Sequence, residues 1–234
     1  MAPGHLTLAE TWKDLLINGD ETATPWTASL NRGAIPFCLV SIALGVGLYG
    51  TSIGMWQGPR MALYVGIKLP LVIVLTLTVN GLINGMLAQL LGSRLSFSQT
   101  ALAILTAFTV FALIVGSLSP ITLGMALDSP APDSPQGPDA HRRLILIHTS
   151  IIAFAGLVST WRLHRLLRHF TTSAAAARNC LIGLIAGNLF VGAQIGFLLR
   201  PIFGQPGLKI EFLRPDLFEG NFYESVWWAL RLTL

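Results

Sequence analysis

Five long stretches of the chain carry no lysine, arginine, aspartate or glutamate: residues 35–56, 69–93, 95–127, 144–161 and 179–199. A helix of a soluble protein needs a polar face, and these stretches have none. Each reaches or approaches the ~20 apolar residues that cross about 30 Å of hydrocarbon. In hydrocarbon the backbone must satisfy its own N–H and C=O groups, so such runs are expected to be helices. A transmembrane β-barrel would alternate apolar and polar positions. Continuous runs such as Leu71-Val72-Ile73-Val74-Leu75 exclude that pattern. The expected spans cover 34–56, a segment beginning near Leu63, 97–123, 144–161 and 179–199.

The segments between them have their own pattern. Residues 1–33 are polar, and Leu8, Trp12, Leu15 and Leu16 fall on one face of a helix over 6–17. That helix is expected at the membrane interface or against a partner. Asn18-Gly19-Asp20 supplies turn chemistry at its end. No secretory signal peptide is expected, because the first apolar run starts only near Ala34, behind Glu10, Asp14, Asp20 and Glu21. Pro120 is expected to kink or end the third span. Residues 128–141 hold four prolines and three aspartates and read as an exposed loop. Arg162, Arg165 and Arg168 follow the fourth span, in a basic amphipathic helix suited to an anionic membrane surface. Lys68, one turn inside the second span, is expected to snorkel to the headgroups.

These patterns predict an all-α, polytopic transmembrane helical bundle of five spans, with interfacial amphipathic helices at both ends. Three parts follow: residues 1–33, polar and interfacial; 34–199, the transmembrane domain; and 200–234, a Pro/Gly/aromatic-rich tail ending in an interfacial helix. The tail is too apolar for a free linker and too charged to span. Trp227 and Trp228 suit the membrane–water boundary.

Composition agrees. Of 234 residues, 53% are hydrophobic and 11% charged, against about 25% charged in soluble domains. The net charge of +4 is dispersed over the connecting segments, which suits anionic lipid and argues against nucleic acid. Cys38 and Cys180 lie in or beside spans and read as small buried hydrophobes.

Small residues at one-turn spacing mark close helix contacts: Gly50 and Gly54, Gly81 and Gly85, Gly183 and Gly187, Gly192 and Gly196. Polar side chains inside the spans sit where such contacts would shield them. Asn80 and Asn84 share a face of the second span, Asn188 and Gln194 lie in the fifth, and His148 begins the fourth. They support either a polar pathway or simple interhelical hydrogen bonding. No predicted span holds Asp or Glu, which counts against a pump or an ion-coupled carrier. Hydrolase, zinc-binding, Walker-type and dinucleotide patterns are missing from the sequence. His148 is the one histidine within a span and has no visible partner for haem. The chain therefore reads as non-enzymatic, with no catalytic, cofactor-binding or metal residues and no cofactor.

Two groups of residues resemble known proteins. The first is Tyr49-Gly50 with Gly54, Lys68-Leu69-Pro70-Leu71, Leu91-Gly92-Ser93-Arg94-Leu95-Ser96 and Ser119-Pro120. The second is Leu199-Arg200-Pro201 with Gly204 and Pro206, Phe212-Leu213-Arg214 and Gly220-Asn221-Phe222-Tyr223. Together they resemble a family of uncharacterised bacterial multi-span membrane proteins. The portion over spans two to four also looks like the Yip1 superfamily, five-span proteins linked to membrane trafficking in eukaryotes. The resemblance implies a five-span bacterial fold and brings no catalytic residue with it.

The functional expectation is a non-enzymatic subunit or scaffold of a larger assembly in the bacterial cytoplasmic membrane, with the lipid bilayer and other membrane subunits as partners. A channel or carrier for a small solute or lipid is the alternative. Trp12, Arg200, Arg214, Tyr223, Trp227 and Trp228 are the candidate interface residues. Short-loop arginines place the N-terminus in the cytoplasm by a small margin.

Overall fold

A computed structural model describes residues 7–204, 207, 209–215 and 218–224. It is 79% helical, and no strand occurs among the described residues. Seven helices follow one another: α1 (Leu8–Ile17), α2 (Gly19–Ala28), α3 (Ala34–Met55), α4 (Pro59–Leu90), α5 (Phe97–Asp128), α6 (Gly137–Phe170) and α7 (Ala174–Leu198). The last five are long and apolar enough to cross a membrane. The fold is thus that of a multi-pass membrane protein.

Helix α3 is the centre of the bundle, packed on α4 and α5; α6 lies against α5, and α7 chiefly against α4. Glycines set the closest of these contacts. A Cβ on Gly50 would stand 2.6 Å from the Val65 carbonyl oxygen, and one on Gly54 the same distance from Ala62 Cα. A Cβ on Gly116 would stand 2.7 Å from Gly45 Cα. Only a missing side chain lets these backbones meet. The core between them holds Ile42, Tyr49, Met61, Val65 and Val115.

Helix α1 starts with a capping box: the Glu10 N–H donates to Thr7 Oγ1, and the Glu10 carboxylate accepts from the Thr7 N–H at 2.7 Å. The chain does not simply turn away after Asn18. Helix α2 begins at Gly19, and the two helices form a pair across the end of the bundle, against α5 and α6. Leu15 is fully buried there, with Ala23, Leu163 and Leu166.

Helix α4 starts at Pro59 and not near Leu63, α7 starts at Ala174 and not at 179, and three further boundaries differ from the sequence reading. Helix α5 runs through Pro120 to Asp128, although the ring withdraws one backbone donor. Ser119 and Thr122 Oγ atoms donate back to carbonyls one turn earlier, and this region stays helical. The Pro-rich loop is confined to residues 129–136, because Gly137-Pro138 starts α6. The basic stretch after 161 continues the fourth span without a break, so α6 has 34 residues and a length of roughly 50 Å. Its last turns meet the α1–α2 pair.

Candidate functional site

The intramembrane polar residues gather at two junctions. The first lies where α4 crosses α7. Asn80 and Asn84, one turn apart on α4, are both buried. Asn80 Nδ2 donates to Asn188 Oδ1 at 3.2 Å, and Asn84 Nδ2 donates to the same oxygen at 3.0 Å. Asn80 Nδ2 also reaches Asn84 Oδ1 at 3.3 Å. Gly187, beside Asn188, leaves the room: a Cβ there would lie 2.9 Å from Asn80 Nδ2. Gly183, one turn earlier, does the same for Leu87 and Leu91 of α4 at 2.8 and 3.1 Å. Glycine spacing and asparagine spacing therefore build one helix junction, in which each amide group finds a partner away from lipid.

The second junction lies at the opposite end of α4. Tyr49 of α3, 1% exposed, has its hydroxyl 3.0 Å from Nδ1 of His148 on α6, which is 2% exposed. Ser52 and Thr122 share a hydrogen bond of 2.6 Å beside them. His148 stands against Phe203 of the tail, ring centroids 6.0 Å apart. Lys68 is fully buried and donates to the Pro201 carbonyl at 2.9 Å, its Nζ lying 5.2 Å from the Phe212 ring centroid. Lys68 thus turns under the tail instead of reaching out to headgroups. The sequence showed His148 without a partner. Tyr49, 99 residues away, had no local signal to join it.

The remaining sequence candidates are dispersed. Gly85 lies against the Phe97 ring and Gly192 against Thr76 at 3.4 Å, whereas Gly81 and Gly196 face open space. Gly45 and Gly116 meet across α3 and α5, and neither has a one-turn glycine neighbour to mark it in the sequence. Gln194 accepts from the Phe222 N–H at 3.1 Å. Tyr223 stacks on Phe190, centroids 4.8 Å apart, and donates to its carbonyl at 2.5 Å. Trp12 donates to Ser41 of α3 at 2.7 Å, so this residue packs on its own bundle. Arg200 stacks on Phe197, 3.8 Å from the ring centroid. Arg214 borders a cleft between the tail and Gln57. Trp227 and Trp228 lie outside the described residues.

Of the three surface arginines, Arg162 is used internally. Its guanidinium donates to the Leu15 carbonyl at 3.0 Å and to the Leu16 carbonyl, which caps the C-terminal end of α1. Arg165 lies 4.9 Å from the Trp161 ring centroid, and Arg168 is exposed. Both cysteines are free and buried. Among the described residues, no three His, Cys, Asp or Glu side chains come together as a metal site.

Chemically, the two junctions hold helices and tail together with neutral hydrogen bonds and one buried ammonium. No Asp or Glu takes part in the hydrogen bonds of either junction. No family model, curated protein or solved structure matches the chain.

Proposed function

We propose that this protein is a non-enzymatic subunit or scaffold of a larger assembly in the bacterial cytoplasmic membrane, with its N-terminus in the cytoplasm. One observation carries the reading: only 6% of the apolar window of α7 is buried against the rest of the chain, compared with 50% for α5. Helix α7 is bound to α4 through the asparagine junction and leaves Ile182, Leu189 and Phe190 exposed. Gly196 on the same helix has nothing within 4 Å of a Cβ position. A helix with open glycine and apolar surface suits close approach by a second membrane helix. The mutual pairing of Asn80, Asn84 and Asn188 also favours an architectural role over a hydrated path. On the N-terminal side, Arg94, Arg162, Arg165, Arg168 and Arg178 support the proposed orientation.

The test is purification in mild detergent with a photo-crosslinking side chain at position 189 and, as a control, at position 157 on α6. A stoichiometric partner crosslinked from 189 and not from 157 supports the proposal. A lone homo-oligomer that conducts or exchanges a solute in vesicles would favour the carrier alternative and overturn it.

A further inference from the structure

Helix α3 touches α4 and α5 at backbone distance through Gly45, Gly50 and Gly54. Its first half, residues 34–44, holds no glycine. A crevice of about 420 Å³ opens among the N-terminal end of α3, the C-terminal half of α4 and the start of α5. That lies within the range of about 300–1,000 Å³ usual for ligand clefts.

The crevice is lined mainly by apolar side chains, among them Leu39, Leu77 and Leu102, with Thr78 and the buried Asn84 as polar residues on its α4 wall. Gly81 forms part of the wall, with nothing within 4 Å of its Cβ position, so the space is open there. Ser98 and Arg32 stand at the mouth. Arg32 is exposed, no carboxylate lines the crevice, and among the described residues its guanidinium has no hydrogen-bond or ion-pair partner. An unpaired arginine at the membrane boundary above an apolar slot complements one kind of molecule: an amphiphile with an anionic head.

We propose that this crevice binds one anionic phospholipid from the leaflet facing the N-terminal end of α3. The headgroup phosphate meets Arg32, and one acyl chain lies between α3, α4 and α5. Bulk lipid explains the rest of the apolar surface, but this slot sets an unpaired arginine beside a mainly apolar space of about 420 Å³. No residue of α7 lines the site, although Asn84 on its wall also bonds Asn188 of α7.

Native mass spectrometry of the full, delipidated chain tests the proposal. The protein is titrated with phosphatidylglycerol or with phosphatidylcholine of the same chains. The first bound lipid is expected to favour phosphatidylglycerol about fivefold, the equivalent of about 1 kcal/mol for one basic side chain at an anionic surface. Arg32→Gln should bring the preference to about unity while phosphatidylcholine binding persists. A Cβ at Gly81 meets nothing within 4 Å, so Gly81→Leu is expected to keep the fold, as checked by its thermal unfolding, and to lose the first site for both lipids. Arg168→Gln, which removes an exposed arginine elsewhere, should leave the preference intact. The proposal is overturned if Arg32→Gln keeps the preference, if Gly81→Leu binds like the parent protein, or if Arg168→Gln lowers the preference equally.

Discussion

Replacing Asn188 by leucine isolates the contribution of the asparagine junction. The change deletes the one oxygen that accepts from both Asn80 and Asn84, at 3.2 and 3.0 Å. At about 0.6 kcal/mol per interhelical hydrogen bond in a membrane, the two bonds contribute roughly 1 kcal/mol. The larger effect comes from what remains. Asn80 and Asn84 are each 1% exposed, so their amide hydrogens cannot turn to water. An unmet buried donor costs about 1–3 kcal/mol. The residual Asn80–Asn84 contact at 3.3 Å satisfies one of them in part. We therefore predict a loss of about 1–3 kcal/mol for Asn188→Leu, and a comparable loss for the Asn80→Leu/Asn84→Leu pair, which strands Asn188. Replacing all three should recover stability relative to Asn188→Leu, because no polar group is then left unmatched. Reversible unfolding in mild detergent measures the differences, and a double-mutant cycle between positions 84 and 188 measures the coupling. Unchanged stability of Asn188→Leu, or zero coupling in the cycle, would refute the reasoning and make the junction incidental to the contact of α4 with α7.

Three further predictions follow from other parts of the molecule. Gly54→Leu should destabilise the bundle by about 1–3 kcal/mol or more, since the added carbon meets α4 backbone at 2.6 Å, whereas Gly196→Leu should be close to neutral; equal thermal shifts for the two would contradict the packing assignment. Truncation after Leu199 removes the Pro201 carbonyl and leaves the buried Lys68 ammonium without that acceptor; the shortened chain should lose monodispersity in size-exclusion chromatography, and Lys68→Met should restore part of it, while a truncated chain as well behaved as the parent would show that the tail is dispensable to its own bundle. The Glu10 carboxyl is held below the ordinary glutamate value first by the backbone N–H of Thr7 and then by its hydroxyl, so its stabilisation of the α1 start is present above that ordinary value and is lost as pH falls through the depressed one; an NMR titration with a midpoint at or above the ordinary value would disprove the capping box.

The junctions also alter how the tail is understood. Interface-type residues after Arg200 suggested a surface directed at a partner. In the described part, Pro201, Phe203, Phe212 and Tyr223 are instead engaged with Lys68, His148 and Phe190 of the same chain. Such residues are recognised by type, and type does not distinguish a foreign surface from the chain's own helices. The least occupied surface is on α7, whose outward residues are ordinary leucine, isoleucine and phenylalanine.

The all-α multi-pass class was legible in the sequence because charge-free length is a one-dimensional quantity, and hydrocarbon admits few backbone solutions for it. The one-turn pairs Asn80/Asn84 and Gly183/Gly187 were legible for the same reason, since helical periodicity fixes which side chains share a face. Helix termini were less so. The start of α2 at Gly19 and the passage of α5 through Pro120 depend on neighbours that outweigh local propensity. What joins what was decided by tertiary structure alone. Asn188 meets Asn80 across 108 residues, Tyr49 meets His148 across 99, and Lys68 meets Pro201 across 133. Arg162 donates back to the end of α1, and the crevice beside Arg32 is assembled from residues of α3, α4 and α5 that lie far apart in the sequence. Periodicity sets the face a residue occupies, but helix crossing sets the partner that face receives, and crossing depends on the packing of several helices at once.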